Sequence, residues 1–97
     1  MIKWTSHAEE NLIEREVKRE IAEMTIDSPE LVVRDKTHLN RQVYMRQYFD
    51  DLLQAEMLCR VVIEESIEVK VVITVYKTSQ IKRYLKTQPT GEPNNEN

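Results

Sequence analysis

Two long segments rich in β-branched residues constrain the fold of this chain more than any other feature. They cover about residues 55–64 and 68–77, and only a few polar residues separate them. Six of the seven residues in the range 69–75 are β-branched, a density that disfavours a helix. The spacing predicts a β-hairpin of two long strands. A sheet must therefore form the centre of the molecule.

The first third of the chain carries helical signals instead. Ser6 followed by Glu9 fits a capping box, for a helix that continues to about Arg15. A second helix is predicted by apolar residues at i, i+4 and i+7, and Pro29 ends it. These apolar residues are Val17, Ile21 and Met24, which would form one face of the helix.

Shorter alternating segments near residues 31–33 and 43–45 add strands, and Thr78 can begin a short last helix. Helices grouped before a run of strands predict an α+β fold. We expect two N-terminal helices packed on one face of an antiparallel sheet of four to five strands, followed by a short C-terminal helix. Residues 1–86 would form one domain, and residues 87–97, which include no large apolar side chain, a disordered tail.

The sequence lacks the residues that several common kinds of binding site require. Its single glycine cannot build a phosphate-binding loop, and no HExxH or paired-cysteine motif suggests a metal or another cofactor. No apolar run is long enough for a signal peptide or a membrane span, so we expect a cytoplasmic protein without membrane contact. The only cysteine, Cys59, lies among apolar neighbours, which favours a buried thiol over a reactive one.

The charges are unevenly distributed along the chain. The net charge is −3, which argues against a protein coated in nucleic acid. Residues 9–35 contain nine acids and four bases, whereas residues 69–91 contain five bases and no acid. A basic end can still attract phosphates. The alternative is that both regions are solvated faces without a partner.

Period-two alternation predicts which side chains the sheet presents. The apolar set would face the helices: Val43, Met45, Ala55, Met57, Cys59, Val61, Ile63, Val69, Val71, Ile73 and Val75. The opposite face would then present a cationic and hydroxylated group, namely Tyr44, Arg46, Arg60, Lys70, Thr74 and Tyr76. Arginine binds phosphate through a planar fork, and tyrosine can stack on a base or supply a proton. The alternative is an ordinary solvated sheet face.

His7 is predicted to lie in the first turn of the first helix. The positive end of the helix dipole would lower its pKa and keep it available as a neutral base. The alternative is a surface residue without a catalytic role.

Three short motifs together resemble a known family. They are residues 4–8 (WTSHA), Arg15 with an apolar Val17 opening the second helix, and residues 72–76 (VITVY). The combination resembles a small bacterial family of unknown function that is similar to the RelE/ParE toxins and to the barnase, colicin and RelE ribonuclease fold. The likeness spans about residues 2–86.

The resemblance implies metal-independent RNA cleavage on the open face of the sheet and a possible cognate antitoxin. Carried over by position, His7 or Tyr76 would be the acid–base residue. Arg15 or Arg60 would hold the phosphate, and Thr74 would hydrogen-bond to it.

Two positions depart from this family pattern. Glu16 stands where such relatives often have glycine, and Lys18 stands where they have a Ser or Thr helix cap. Two other functions therefore stay open. One is an inactive relative that binds a protein or nucleic acid. The other is a homodimer formed through an apolar patch of Leu58, Val62 and Val72.

Overall fold

The computed structural model describes residues 1–85, and its architecture is the predicted α+β fold. The predicted tail lies outside the described residues. No helix of the described part combines the length and apolar character that crossing a membrane requires. In chain order the elements are β1 (Ile2–Trp4), α1 (Ser6–Glu14), α2 (Arg19–Asp27), β2 (Leu31–Arg34), β3 (Arg41–Asp50), β4 (Ala55–Glu65), β5 (Lys70–Thr78) and α3 (Ile81–Tyr84).

The five strands form one sheet in the order β1-β5-β4-β3-β2. Strands β2 to β5 are antiparallel to their neighbours, as expected from the hairpin pattern. The sheet is nevertheless mixed, because β1 pairs in parallel with β5, from Ile2 opposite Lys70 to Trp4 opposite Val72. Because β1 pairs only with residues 70–72, the backbone of β5 beyond Val72 is free on this edge to bond with side chains of α1.

Helix α1 begins one residue earlier than the capping prediction placed it. The N-cap is Thr5, whose Oγ1 accepts a hydrogen bond from the Ala8 amide at 3.0 Å. At the other end, Glu16 adopts a left-handed conformation with φ of 55°. The amide of Glu16 donates to the Ile13 carbonyl and that of Val17 to the Leu12 carbonyl, which is the pattern of a Schellman motif. Glutamate thus stands at a position whose backbone conformation favours glycine.

The sheet is covered by two helices on one face and in part by α3 on the other, whereas alternation predicted an open second face. Helices α1 and α2 cover one face over a core that includes Cys59, Val61 and Ile63, as predicted. Val43 and Met45 were expected in that core, but they pack on the opposite face beside α3. Their neighbours on β3 take the helix side instead: Tyr44 is buried and Tyr48 is partly buried there. Tyrosine can do this because its ring is apolar and its hydroxyl reaches a polar partner at the rim.

A β-bulge changes the alternation along β5. Val62 pairs with Thr74 but the next residue on β4, Ile63, pairs with Val72, so Ile73 is the extra residue. Val72 and Val75 therefore both lie in the core under the helices. The prediction that placed Val71 and Ile73 there and Val72 outside is wrong for this reason.

The predicted apolar dimer patch is not exposed. Leu58 and Val72 have no exposed surface, and Val62 is partly buried in the core beside α3. The short helix and the residue after it cover this face with Ile81, Tyr84 and Leu85. A dimer through that patch is therefore excluded.

Candidate functional site

The six residues predicted to share one sheet face are divided between two faces. Tyr44 lies in the helix-side core, and the Lys70 ammonium is 5.1 Å from the centre of its ring. Arg46 pairs with core residue Cys59, and its Nη1 donates to the Ser28 carbonyl at 2.7 Å. These three predicted site residues therefore lie away from Arg60 and Tyr76. Their placement follows from the shifted faces of β3 and β5.

Arg60, Tyr76 and Tyr84 form a compact group, the arginine–tyrosine cluster, on the face that α3 partly covers. Arg60 and Tyr76 are cross-strand partners on β4 and β5. The Arg60 guanidinium carbon lies 3.9 Å from the ring centre of Tyr84 and 5.1 Å from that of Tyr76. Both distances are within the range of a cation–π interaction. Its Nη1 also donates to the Tyr76 hydroxyl.

The cluster has unused hydrogen-bonding capacity and further positive charge. The Arg60 Nε is buried without a partner among the described residues. Arg83 on α3 adds a second guanidinium, 5.7 Å from the Tyr84 ring centre. A planar cationic group with a free donor is suited to a phosphate or another oxyanion.

Tyr76 remains a neutral phenol at physiological pH. Burial raises the pKa of its hydroxyl, and the charges of Arg60 and Arg15 oppose that rise without cancelling it. Arg15 follows α1, and its Nη1 donates to the carbonyl of Val75, the neighbour of Tyr76, at 3.1 Å. Two of the predicted phosphate-binding arginines therefore act on the same tyrosine. A neutral hydroxyl beside the guanidinium of Arg60 can donate a proton or a hydrogen bond.

Thr74 is held by a buried residue that the sequence did not single out. The Oδ1 of Asn11 accepts a hydrogen bond from the Thr74 hydroxyl at 2.9 Å and from the Val75 amide at 3.1 Å. Asn11 is fully buried where α1 meets the open edge of β5. It thus fixes the bulge just before Tyr76. One signal was available: Asn11 lies one helical turn from buried Ala8, on the same face of α1.

His7 does not join the cluster. It is exposed on α1, and no hydrogen bond among the described residues connects it with Thr74 or Tyr76. Of the seven predicted site residues, the structure brings Arg60 and Tyr76 into contact, and Arg15 bonds the carbonyl of Val75 next to Tyr76. It places Thr74 next to them in the chain but bonded to α1.

A buried ion pair at the end of the sheet also escaped the sequence analysis. The Lys77 Nζ lies 2.9 Å from the Asp50 Oδ2 and 3.0 Å from the Glu16 carbonyl oxygen. Asp50 also accepts from the Tyr48 hydroxyl and the Leu53 amide, each at 2.9 Å. The hydrogen bond from Lys77, aided by the others, lowers the pKa of Asp50 to about 2. Because both carboxylate oxygens are occupied, this group is structural.

The remaining chemical candidate, Cys59, has no exposed surface, as expected. Burial raises the pKa of its thiol to about 11, so the reactive thiolate is rare at neutral pH. Among residues 1–85, no group of three or more His, Cys, Asp or Glu side chains is arranged to hold a metal ion.

Comparison with known proteins identifies no relative: the chain matches no protein-family model, no curated protein and no solved structure. A functional interpretation therefore depends on the geometry of the cluster and on the motif resemblance.

Proposed function

We propose that this protein binds RNA through the arginine–tyrosine cluster and cleaves it without a metal, as a toxin-like endoribonuclease. The observation that supports this most is the Tyr76 hydroxyl beside the guanidinium of Arg60, with Arg15 close enough to influence its pKa. The resemblance to the RelE/ParE toxins supports the same reading. A cognate antitoxin belongs to the proposal on that resemblance alone, and a cytoplasmic location on the lack of a long apolar run in the sequence.

The chemistry assigns a separate task to each group. In the cleavage reaction the ribose 2′-hydroxyl would pass its proton to His7, the predicted base, once the bound RNA reaches α1. The 2′-oxygen then attacks phosphorus, and the departing 5′-oxygen takes up a proton. Arg60 and Arg15 would stabilise the additional negative charge on the phosphate. Tyr76 would supply the proton, since its raised pKa keeps it protonated. The phosphate would replace the hydroxyl of Tyr76 as the acceptor for the Arg60 Nη1.

A second function, RNA binding without cleavage, is favoured by the position of His7. The only histidine proposed as a base is exposed on α1 and has no hydrogen bond to the cluster. A site with cations and an acid but no base would hold RNA without activating the 2′-hydroxyl. An inactive relative of a ribonuclease would have a site of this kind, with cations and an acid but without a base.

One experiment separates the two functions. The purified protein is incubated with single-stranded and structured RNA at neutral pH in EDTA, and binding is followed in parallel by gel shift. For an enzyme we expect cleavage that Tyr76→Phe slows by about a hundredfold or more. The matched control is Tyr44→Phe, which removes a hydroxyl bonded to Glu65 on the other face and should leave cleavage unchanged.

The other outcomes are equally informative. A gel shift without cleavage by the unmodified protein supports the binding function and rejects the enzyme. Loss of cleavage in His7→Ala would show that His7 approaches the RNA in the complex. If the protein neither shifts nor cleaves either RNA, both functions are wrong.

A further inference from the structure

A cavity of about 300 Å³ lies between the α1–α2 connection and the tip of the β3–β4 hairpin. We call it the hairpin groove. Its walls are largely apolar, and two large side chains at its rim are open to solvent: Phe49 is 50% exposed and Leu52 is 65% exposed. Partly buried Leu12 and Ile21 continue the apolar surface inward. Neighbouring apolar side chains that remain exposed in this way are typical of a protein interaction site.

The groove is acidic at its rim. Glu16 and Asp51 both line it, whereas Lys18 is the only cationic residue that does so. Lys18 lies 3.8 Å from Asp51 in an exposed ion pair, so it compensates one carboxylate and leaves Glu16 uncompensated there. Asp50 at the groove is already neutralised by Lys77. The two helices that border the groove belong to the segment with nine acids and four bases. With Lys18 and Lys77 counted against Glu16, Asp50 and Asp51, the groove keeps one net negative charge, which favours a cationic partner.

The backbone at Glu16 gives a second reason to regard this rim as functional. Glu16 adopts φ of 55°, where a residue with a Cβ is less stable than glycine by about 1 kcal/mol or more. The chain nevertheless has a carboxylate at this position, on the wall of the groove. Such conformations are more frequent at functional sites, although helix ends and turns also use them, as at Gln54 in the β3–β4 connection.

From these observations we propose that the hairpin groove docks a basic segment of another protein. Such a segment would insert one large apolar side chain between Leu12, Ile21 and Leu52, with Lys or Arg residues facing Glu16 and Asp51. The volume is at the lower end for a binding pocket, which suits a single side chain better than a large ligand. The chain's own residues 86–97 include no large apolar residue and cannot supply that anchor.

This site is separate from the proposed RNA site. The groove shares no lining residue with the arginine–tyrosine cluster. Its occupant differs as well, because an acidic rim repels a nucleic acid and attracts a basic peptide. The two proposals can therefore fail independently.

The test uses a fluorescently labelled amphipathic Leu/Lys peptide, with an Ala/Lys peptide of equal charge and a Leu/Glu peptide as comparisons. Binding to the full chain is measured by fluorescence anisotropy at physiological salt. We expect the Leu/Lys peptide to bind and the other two to bind at least tenfold more weakly. Leu52→Ala should weaken binding about tenfold, since the anchor contact is lost. Glu16→Gln should weaken it about threefold.

Matched controls locate the binding. Leu39→Ala removes a leucine that is 66% exposed outside the groove, and Glu68→Gln removes an exposed carboxylate in the β4–β5 turn. Neither should change the affinity. The proposal is overturned if the Leu/Lys peptide does not bind, if the Ala/Lys peptide binds equally well, or if the control variants weaken binding as much as the groove variants do.

Discussion

Replacing Asp50 with asparagine should destabilise the protein by an amount that depends on pH in a defined way. The substitution keeps the size of the side chain and its capacity to accept from the Leu53 amide, but removes the charge opposite Lys77. The side chains of Asp50 and Lys77 are only 5% and 12% exposed, so solvent screens their interaction weakly.

The size of the effect follows from the pKa of Asp50. It falls from 3.8 to about 2 on folding, which corresponds to about 2 kcal/mol of unfolding free energy at neutral pH. Because the folded-state pKa is the lower one, this stabilisation is present above pH 3.8 and disappears as the pH falls through about 2. Asp50→Asn should therefore cost about 2 kcal/mol at pH 7 and only a few tenths of a kcal/mol near pH 2, where about half of the native side chains are already protonated.

Urea unfolding at several pH values, followed through the single tryptophan or circular dichroism, measures this difference. The double variant Asp50→Asn with Lys77→Met should recover part of the loss at pH 7, because it no longer leaves a buried ammonium without its partner. A loss below about 0.5 kcal/mol at pH 7, or a loss of the same size at pH 7 and pH 2, would refute the reasoning.

Three further predictions concern single residues. Glu16→Gly should raise the unfolding free energy by about 0.5–1 kcal/mol, because glycine relieves the left-handed strain at the end of α1; no change or a loss in urea unfolding would contradict it. Asn11→Ala should lower it by about 2 kcal/mol, because the amide of Val75 and the hydroxyl of Thr74 lose a buried acceptor; a loss below about 0.5 kcal/mol would show that water replaces it. Cys59 should react with a thiol reagent only in denaturant; rapid reaction of the native protein would show that the sheet opens locally.

The sequence predicted the fold because its strongest signals are local. The β-branched density of residues 69–75, the capping residues before α1 and the proline after α2 each act within a few positions. The structure has the hairpin and both helices where these signals predict them, with the N-cap of α1 one residue earlier than expected. Alternation on β4 was also right, since Cys59 and its core neighbours pack under the helices on one side.

The residues that sequence reasoning misplaced are those whose environment depends on distant elements. Val43 was assigned to the helix side because a strand covered on one face should hide its aliphatic residues there, but α3 provides a second apolar surface. No glycine in the sequence marks the bulge at Ile73. It is stabilised by Asn11 on α1, which is more than sixty residues away in the chain. Asn11 was not singled out from the sequence for the same reason.

The candidate site shows both effects. Arg60 and Tyr76 come together because they face each other on a long regular hairpin, beyond the bulge. Lys70, before the bulge, is shifted to the other face together with Tyr44. Period-two alternation therefore predicted the pair Arg60 and Tyr76 correctly, but it wrongly placed Lys70 and Tyr44 on the same face.

RNA affinity of an Arg60 variant tests the central claim most directly, whether or not the protein cleaves. A labelled single-stranded RNA is titrated in EDTA at low salt with the unmodified protein, Arg60→Gln and the control Arg41→Gln, whose guanidinium pairs with Glu64. Circular dichroism verifies that all three are folded. The account predicts about a tenfold or larger loss of affinity for Arg60→Gln, since a charged hydrogen bond to phosphate is removed, and less than about a twofold loss for Arg41→Gln. Equal affinities of the two folded variants would contradict it.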